Sequence, residues 1–588
     1  MSDILKAYNA LSTASSRSDV TAVFNSIINA TPFTFDKDSR VELIKAIIQD
    51  LKTCGSKGRL NSKDAAQALL AVKTLGKDPA GSKYLSEAPS LLTLLGFATT
   101  FKDDPEASSE ALRSIANALL LIEEARSTFI SKDVNGGDTC IVMLEKSTSP
   151  DHIFILSRML FLSTASGTTY IETVVEGKYN GRTIVDILGS KLDLMTTAVR
   201  NGAPTSKEAM SDLLKFIFNI LLHYPKLVET EPQNSYTTGG EKVLGDFWNA
   251  RLDPLLPPLL RVFHNLPPSS PCPILAPLTH VIHSLITIPI TPALKHVWFG
   301  QPSPTSSRNS TTNSPKNRTP QRSRSDSPTR LTQSPISPKP STLDRALSRL
   351  AAGRRSLSRT PPPPTSTSFD VLQRSLDLLE SSFSRYLPGS IDPDDPDVRQ
   401  RCKAESNETL DDMLSPLVVL ISRICIADEG SRARVRQIIA PEDLDRSTPL
   451  ESRADLLGRC LRLLACVYHP RLKDAVGELL FAVADSDAST LSMLFGYGNV
   501  AGFLFHKGVF SAPQTSSSSS TGLSTSDQIN PITGTVVQPK IDLPDMSDEE
   551  KEREMEKLFV LFDRLEKTGA INPEQNPMRK AIQKGQMG

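Results

Sequence analysis

Residues 76–83 are the first segment whose residue types could do chemistry, because glycines next to lysines can cradle phosphates. The segment reads GKDPAGSK. A phosphate-binding loop ends in Gly-Lys-Ser or Gly-Lys-Thr and follows a β-strand, which places its lysine over the phosphates. Here the ending is Gly-Ser-Lys and no strand is predicted before it. The sequence therefore argues against nucleotide binding at this segment.

Histidines and cysteines give no pattern of a metal site or a nucleophile. His280 and His283 could share a helix face, but no third ligand accompanies them. The seven cysteines include no Cys-x-x-Cys pair and are predicted to be buried free thiols of a reducing compartment. Neither a Gly-x-Ser-x-Gly nor a His-Glu-x-x-His motif occurs. We predict no cofactor, no metal and no bond-making catalysis, and expect a binding protein.

Polar side chains embedded in apolar segments are the remaining candidates for function. Asn117 lies in the run 115–119 and could bond either a bound peptide backbone or a neighbouring helix. Arg158 lies in the apolar run 154–161. Lys73 and Lys77 are four residues apart, a spacing that predicts one shared helix face. A later basic cluster consists of Arg432, Arg434 and Arg436. For each of them, contact with a partner and a solvated or structural role both stay open.

Amphipathic helices are the elements that must position these residues. Asp104 is predicted as an N-cap with Pro105 at the first helical position, and a wide apolar stripe predicts a helix from about Ser206. Two stripes, 456–467 and 472–483, are separated by His469-Pro470 and predict a helical hairpin. Such hairpins bury their apolar faces only by stacking. We predict an all-α, armadillo- or HEAT-like α-solenoid whose concave face suits a helical or extended peptide.

Length and charge agree with a soluble repeat protein. The chain has 588 residues, too many for one compact core, and its 66 Lys and Arg balance its 66 Asp and Glu. A nucleic-acid partner is therefore not implied. The N-terminus lacks an apolar leader, and the most apolar stretch, 275–294, is interrupted by prolines and histidines. We predict a cytoplasmic protein without an integral membrane segment.

Composition divides the chain into six predicted segments. These are solenoid parts at 1–300 and 368–510, an insertion at 301–367, a flexible linker at 511–545, an amphipathic helix at 546–568 and a tail at 569–588. The insertion is rich in Ser and Pro, and between 301 and 360 it carries twelve Lys or Arg against two Asp or Glu. It is predicted to be disordered. It could be a kinase-regulated tether that touches acidic lipid or protein, or a tolerated insertion in a solenoid loop.

The C-terminal helix and the segment before the linker carry the clearest local signals. Ser547 and Glu550 predict a capping box. One face of the helix is lined by Met555, Leu558, Phe559, Phe562 and Leu565. Residues 496–504 read GYGNVAGFL. Their glycines are poor helix formers and predict a tight loop with unusual backbone angles or a close approach to a neighbour.

Residues 496–504, the sequence INPITG at 529–534 and the following helix together resemble the synembryn family. Segments 110–117 and 158–165 resemble armadillo helices of that family. The insertion lies outside the pattern of animal members, which indicates a fungal member. The resemblance implies a guanine nucleotide exchange factor and folding chaperone for the α subunit (Gα) of heterotrimeric G proteins. Recruitment to the cell cortex as a peripheral membrane protein would be consistent with that role.

The resemblance also implies two contact regions for Gα. The concave groove would hold the Gα C-terminal helix, with contacts at Lys73, Lys77, Asn117, Arg158, Phe161, Arg432, Arg434 and Arg436. The C-terminal helix would contact the switch region through Leu558, Phe559, Phe562 and Leu565. Ser524, with Asp527 three residues later, is a candidate phosphorylation site for a protein kinase. The alternative is a generic armadillo scaffold or adaptor that binds another helical or extended peptide.

Overall fold

The fold is built almost entirely of helices. The computed structural model describes residues 3–31, 34–54, 58–228, 247–300, 370–509, 529–530, 532–536 and 548–567. Within these ranges one pair of two-residue strands, β1 (Lys178–Tyr179) and β2 (Arg182–Thr183), forms an antiparallel hairpin. The predicted all-α, armadillo- or HEAT-like solenoid is confirmed.

Sixteen helices precede the predicted insertion in the described ranges. They are α1 (Asp3–Asn9), α2 (Arg17–Ile28), α3 (Lys37–Lys52), α4 (Ala65–Leu75), α5 (Pro79–Leu85), α6 (Ala88–Thr100), α7 (Pro105–Leu121), α8 (Glu123–Ile130), α9 (Gly136–Lys146), α10 (Pro150–Thr164), α11 (Tyr170–Glu176), α12 (Ile184–Arg200), α13 (Ser206–Val228), α14 (Leu256–Asn265), α15 (Leu278–Thr287) and α16 (Pro292–Phe299).

Nine helices follow it in the described ranges. They are α17 (Val371–Tyr386), α18 (Pro396–Ser406), α19 (Leu410–Ala427), α20 (Glu429–Ile439), α21 (Leu456–Ala465), α22 (Pro470–Val483), α23 (Ala488–Phe495), α24 (Tyr497–His506) and α25 (Asp548–Lys567). Short 3₁₀ turns lie at Ser62–Asp64, Ala250–Leu255 and Leu450–Ser452.

Helix starts follow the sequence signals closely. The Asp104 carboxylate accepts a hydrogen bond from the Ala107 amide, and Pro105 opens α7, because proline needs no hydrogen-bond acceptor at that position. The hairpin of α21 and α22 breaks before Pro470 as predicted. Assigning Val467 to the apolar stripe was wrong. The chain is already extended at Cys466, so Val467 lies outside the helix and its side chain is 66% exposed.

Seven helices form one continuous stack, which we call the stacked row. Its members are α4, α7, α10, α13, α15, α19 and α22, and each packs against the next. The facing sides are apolar. In α13, for example, Leu213, Ile217 and Ile220 are fully buried. A single hydrophobic core runs from α1 to α24, as expected of repeats that bury their faces only against neighbours.

The cysteines are free thiols. Six of the seven are buried and Cys54 is partly buried. Burial raises the pKa of Cys402 to about 11 and that of Cys466 to about 11. These thiols are therefore protonated near neutral pH and behave as core side chains.

Residues 529–530 and 532–536 pack against the last solenoid helices, and we call them the docked hairpin. Gly496 has a φ of +82°, and a Cβ built on it would lie 2.5 Å from the Thr533 carbonyl carbon. The Gly498 amide donates to the Ile532 carbonyl oxygen at 2.8 Å. Arg446 donates to the carbonyl oxygens of Gly534 at 2.7 Å and Leu494 at 3.0 Å. These contacts attach part of the predicted linker to the solenoid.

The prediction of a tight loop at 496–504 was right only at its first residue. Gly496 has the unusual angle and the close neighbour, but helix α24 begins at Tyr497 and contains Gly498 and Gly502. The helix tolerates Gly498 because the docked hairpin packs against its backbone, where a side chain would crowd the Ile532 carbonyl oxygen at 3.1 Å.

Several predictions fall outside the described residues. They are the insertion at 301–367, the capping serine Ser547, the candidate phosphorylation site Ser524 and the tail at 569–588. In the part of the chain that the structure does describe, no helix has the length and apolar character needed to span a membrane.

Candidate partner-binding surface

The stacked row brings together four of the residues predicted to line the groove. Lys73 lies on α4, Asn117 on α7, and Arg158 and Phe161 on α10, and these three helices are consecutive members of the row. All four side chains are partly exposed. These four partly exposed residues therefore lie on three helices that pack side by side.

Lys73 is committed to a buried carboxylate. Its ammonium lies 2.5 Å from Oε2 of Glu110 on α7, and Glu110 is only 6% exposed. Arg113, three residues further along the same helix, pairs with Oε1 at 2.6 Å and also contacts Asp151 of α10. A buried carboxylate needs such partners, because an uncompensated charge in the interior is strongly unfavourable. We call this arrangement the Glu110 node.

Arg158 belongs to a second arrangement of the same kind. Its Nε donates to Oδ2 of Asp212 on α13 at 2.7 Å, and Asp212 is 2% exposed. Lys215, again three residues further on, pairs with Oδ1 at 3.1 Å and lies 5.5 Å from the centre of the Phe161 ring. We call this the Asp212 node. In both nodes one cation comes from the preceding helix of the row.

Asn117 differs from its charged neighbours. Its side chain is partly exposed, and within the described residues it has no hydrogen-bond partner. By contrast, the amide of Asn219 is fully engaged, donating to the Phe161 carbonyl oxygen and the Thr164 hydroxyl at 3.0 Å each. A hydrogen bond to a neighbouring helix was one of the two roles considered for Asn117. In the structure Asn219 makes such a bond and Asn117 does not.

Lys77 does not share a helix face with Lys73. Helix α4 ends at Leu75 and Gly76 caps it, so Lys77 lies in the turn before α5 and is exposed. The helix ends because Asp78 and Pro79 start the next one, the Asp78 carboxylate accepting from the Ala80 amide. The segment tested above for phosphate binding, 76–83, spans this turn and the start of α5. Its Gly81 and Ser82 are buried within α5.

The three arginines of α20 do not form a cluster. Arg432 and Arg436 both pair with Asp485, at 2.8 and 2.6 Å. Arg434 points to a different neighbour and pairs with Asp370 at 2.9 Å. The reason is their spacing, because residues two apart on a helix lie on different sides. Each arginine ties α20 to an adjacent segment, and the predicted basic patch is absent from these described residues.

The C-terminal helix α25 presents a broad apolar surface. Leu558 is 46% and Phe559 51% exposed, and Phe562 is half-buried. The side chain of Leu565 lies outside the described residues. Met555, Val560 and Leu561 are also exposed, so the apolar surface is wider than the predicted stripe, which omitted Val560 and Leu561. Large exposed apolar side chains grouped on one helix are typical of a binding surface.

No arrangement for metal chemistry stands out. In the described ranges no group of three or more His, Cys, Asp or Glu residues could hold a metal ion.

The sequence gave no signal for the Glu110 node or the Asp212 node. Glu110 with Arg113 and Asp212 with Lys215 share an i, i+3 spacing, but this spacing is common on exposed helix faces. Their burial became visible only in the tertiary structure.

Comparison with known proteins relates this architecture to one family. Residues 68–586 match the Ric8 family, described as guanine nucleotide exchange factor synembryn. Chaperone Ric-8 of Drosophila melanogaster is 31% identical over 214 residues, 34% of this chain and 34% of that protein. A synembryn-like chaperone of Schizosaccharomyces pombe is 29% identical over 196 residues, 31% of this chain and 36% of that protein.

A vertebrate protein gives a similar alignment. Chaperone Ric-8A of Xenopus laevis is 27% identical over 180 residues, 29% of this chain and 33% of that protein. The chain thus spans about a third of the length of each of these relatives, at 34%, 36% and 33%. The family match is far longer and extends over most of the sequence. On that ground this protein belongs to the Ric8, or synembryn, family.

Proposed function

We propose that this chain is a guanine nucleotide exchange factor and folding chaperone for Gα subunits. It binds GDP-bound Gα, promotes GDP release and stabilises the nucleotide-free state, and it makes or breaks no covalent bond. The family match over residues 68–586 supports the exchange and chaperone roles. The stacked row and the apolar surface of α25 supply two binding regions of different chemistry.

The observation that carries the proposal is the uncommitted amide of Asn117, on the helix that lies between those of Lys73 and Arg158 in the stacked row. The last turn of a helix leaves four carbonyl oxygens without partners and carries a partial negative charge. Asn117 can donate to such a carbonyl. Lys73 and Arg158 retain further N–H donors after pairing with their buried carboxylates. These donors therefore suit the C-terminal helix of Gα.

The apolar surface of α25 supports a second contact. Leu558 and Phe559 expose about half of their surface, at 46% and 51%, and amphipathic helices bind by placing such a face into a complementary groove. We assign this helix to the switch region of Gα. Binding two regions of one partner raises affinity, because the second contact is intramolecular once the first has formed.

Nucleotide release follows from differential affinity. A protein that binds the open, empty form of Gα more tightly than the GDP form shifts the population toward the empty form. The affinity of Gα for GDP falls in the same ratio. Holding the C-terminal helix of Gα in the row would favour that open form. The same preference explains chaperoning, because a ligand that binds one folded state stabilises it.

GDP release from purified Gα tests the proposal. We expect faster release in the presence of the full chain and a stable complex with nucleotide-free Gα, while the chain alone binds no GTP. A chain ending at Val536 retains the docked hairpin but lacks α25. With this shorter chain, Gα should release GDP more slowly than with the full chain. If several Gα subunits show neither faster release nor a complex, the generic armadillo scaffold becomes the better interpretation.

Phosphorylation at Ser524 stays a prediction. A phosphate at that position would add negative charge to the segment between α24 and the docked hairpin. If Ser524→Ala and Ser524→Asp both give the exchange rate of the unmodified chain, this regulation is contradicted.

A further inference from the structure

The docked hairpin has a defined shape of its own. Its ends, Ile529 and Val536, pair in an antiparallel bridge. Between them the Asn530 amide donates to the Thr535 carbonyl oxygen at 2.7 Å, and the Gly534 amide donates to the Asn530 carbonyl oxygen at 2.8 Å. Because these hydrogen bonds fix the backbone, the solenoid can hold the hairpin as one unit.

Gly534 lies at the contact between the hairpin and the solenoid. It is buried, and its φ is +72°. A Cβ built on it would lie 2.9 Å from the Gly496 nitrogen and 3.0 Å from Cδ1 of Leu450. Arg446 donates to the Gly534 carbonyl oxygen, and its own carbonyl oxygen accepts from the Val536 amide at 2.9 Å. Two parts of the solenoid therefore hold the hairpin, the connection between α20 and α21 and the junction of α23 and α24.

The surface that holds the hairpin is attached to the end of the stacked row. Helix α24 packs against α22, which is the last member of the row. Their contact includes Phe481 and Phe503, whose ring centres lie 6.0 Å apart. Glu478 of α22 also pairs with Lys507, directly after α24. The docked hairpin is therefore fixed at the C-terminal end of the row.

Docking shortens the tether that joins α25 to the solenoid. Between Val509, the last described residue before the hairpin, and Asp548, the first residue of α25, lie 38 residues. Only 11 of them follow Val536. Whatever their conformation, 11 residues span at most about 40 Å, whereas 38 residues span up to roughly 135 Å. The docked hairpin therefore confines α25 to a much smaller volume around the end of the row.

We propose that the docked hairpin positions α25 for its contact with the Gα subunit bound along the stacked row. Gly534 and Arg446 are positioning residues, because they act by holding Val536 against the solenoid and not by touching Gα. The effective concentration of a tethered group falls roughly as the −3/2 power of the tether length, so a tether of 11 instead of 38 residues raises that of α25 about sixfold. This inference rests on the proposed function, in which the row and α25 bind the same Gα subunit.

The Gly534→Val variant tests the proposal and leaves every residue of the solenoid unchanged. Its side chain would collide with the Gly496 nitrogen, and valine is strained at a φ of +72°. In the full chain we expect Gα affinity, measured by calorimetry, to fall about sixfold. Hydrogen exchange at the Gly498 amide, which donates to Ile532, should accelerate and report that the hairpin has detached. Gly502→Val is the matched control, because a Cβ there meets nothing within 4 Å, and should change neither quantity.

A chain ending at Val536 separates positioning from direct contact. That chain keeps the hairpin and lacks α25, so Gly534→Val should leave its Gα affinity unchanged. A loss as large as that in the full chain would mean that the hairpin binds Gα itself or supports the row, and would overturn the proposal. Unchanged affinity of the full-length variant, together with faster exchange at Gly498, would also overturn it while leaving the proposed function standing. If the unmodified full chain fails to bind Gα, the proposed function itself fails.

A longer tether tests the proposal with the hairpin intact. A Gly-Ser insertion that lengthens the segment 537–547 from 11 to 38 residues should also lower Gα affinity about sixfold, at an unchanged melting temperature. An insertion of the same length within 510–528, on the solenoid side of the hairpin, is the control. It should leave affinity unchanged, because the hairpin still holds the chain at Val536. Equal effects of the two insertions, or no loss from the first, would contradict positioning by the hairpin.

Discussion

The stacked row and the helix α25 present opposite kinds of surface. In the row, the buried carboxylates of Glu110 and Asp212 each hold two cations, so the polar groups are fixed before a partner arrives. In α25, apolar side chains such as Phe559 lie exposed at the surface. The row thus carries cations held by buried carboxylates, whereas α25 carries exposed apolar area.

This difference predicts which substitutions affect folding and which affect only binding. Removing a carboxylate from a node takes away the buried acceptor that two cations share across packed helices, so stability suffers first. Truncating an exposed apolar side chain leaves the free protein unchanged and removes area that only a partner would bury. In the sequence the docked hairpin lies between α24 and α25, and disrupting its packing should lower stability.

The largest effect is expected at the Asp212 node. Asp212→Ala leaves Arg158 and Lys215 without their shared carboxylate, and we expect the free energy of unfolding in urea to fall by about 3 kcal/mol because two charge-assisted hydrogen bonds are lost. The control is Asp193→Ala, which breaks the exposed pair with Arg261 and should cost less than about 1 kcal/mol. Similar losses for both variants would show that the buried node contributes no more to the free energy of unfolding than a surface ion pair does.

Gly496→Ala should detach the docked hairpin. The new Cβ would collide with Thr533, and alanine is strained at a φ of +82°, so we expect a loss of about 2 kcal/mol. Hydrogen exchange at the Gly498 amide, which donates to Ile532, should accelerate. Gly502→Ala is the matched control on the same helix, where a Cβ meets nothing within 4 Å, and should be neutral or stabilising by up to about 1 kcal/mol. Unchanged exchange in Gly496→Ala would contradict the docking.

Phe559→Ala should separate binding from folding. We expect the free energy of unfolding to change by less than about 0.5 kcal/mol, while Gα binding measured by calorimetry weakens by about 1.5 kcal/mol because an exposed aromatic anchor is lost. Glu549→Gln, an exposed change near the start of α25, serves as the control. Normal Gα binding by Phe559→Ala would remove α25 from the proposed interface.

Asn117→Ala should give the smallest effect. Its amide makes no hydrogen bond within the described residues, so stability should not change, and loss of one hydrogen bond to Gα should weaken binding by about 1 kcal/mol. Gln437→Ala removes an exposed amide from α20 and should leave affinity unchanged. A fall in melting temperature with unaltered affinity would assign Asn117 to the scaffold.

Local sequence signals were enough to predict several helix boundaries and the all-α fold class. Asp104 and Pro105 start α7, and Pro470 starts α22, because capping and proline geometry depend only on neighbouring residues. The stripe of α13 was visible because its period matches the helix. The family was visible in 496–504 and 529–534 for the same reason, since short contiguous segments carry the resemblance.

The partner of each polar side chain became clear only from the tertiary structure. Lys73 meets Glu110 across 37 positions of sequence and Arg158 meets Asp212 across 54, and no local pattern encodes such distances. Arg432 and Arg434 appeared as one patch in the sequence but pair with carboxylates on different segments. Gly496 appeared to mark a loop, yet it is needed because Thr533 and Gly534 pack against it. Local structure follows from local chemistry, whereas burial and pairing depend on which distant segments the fold brings together.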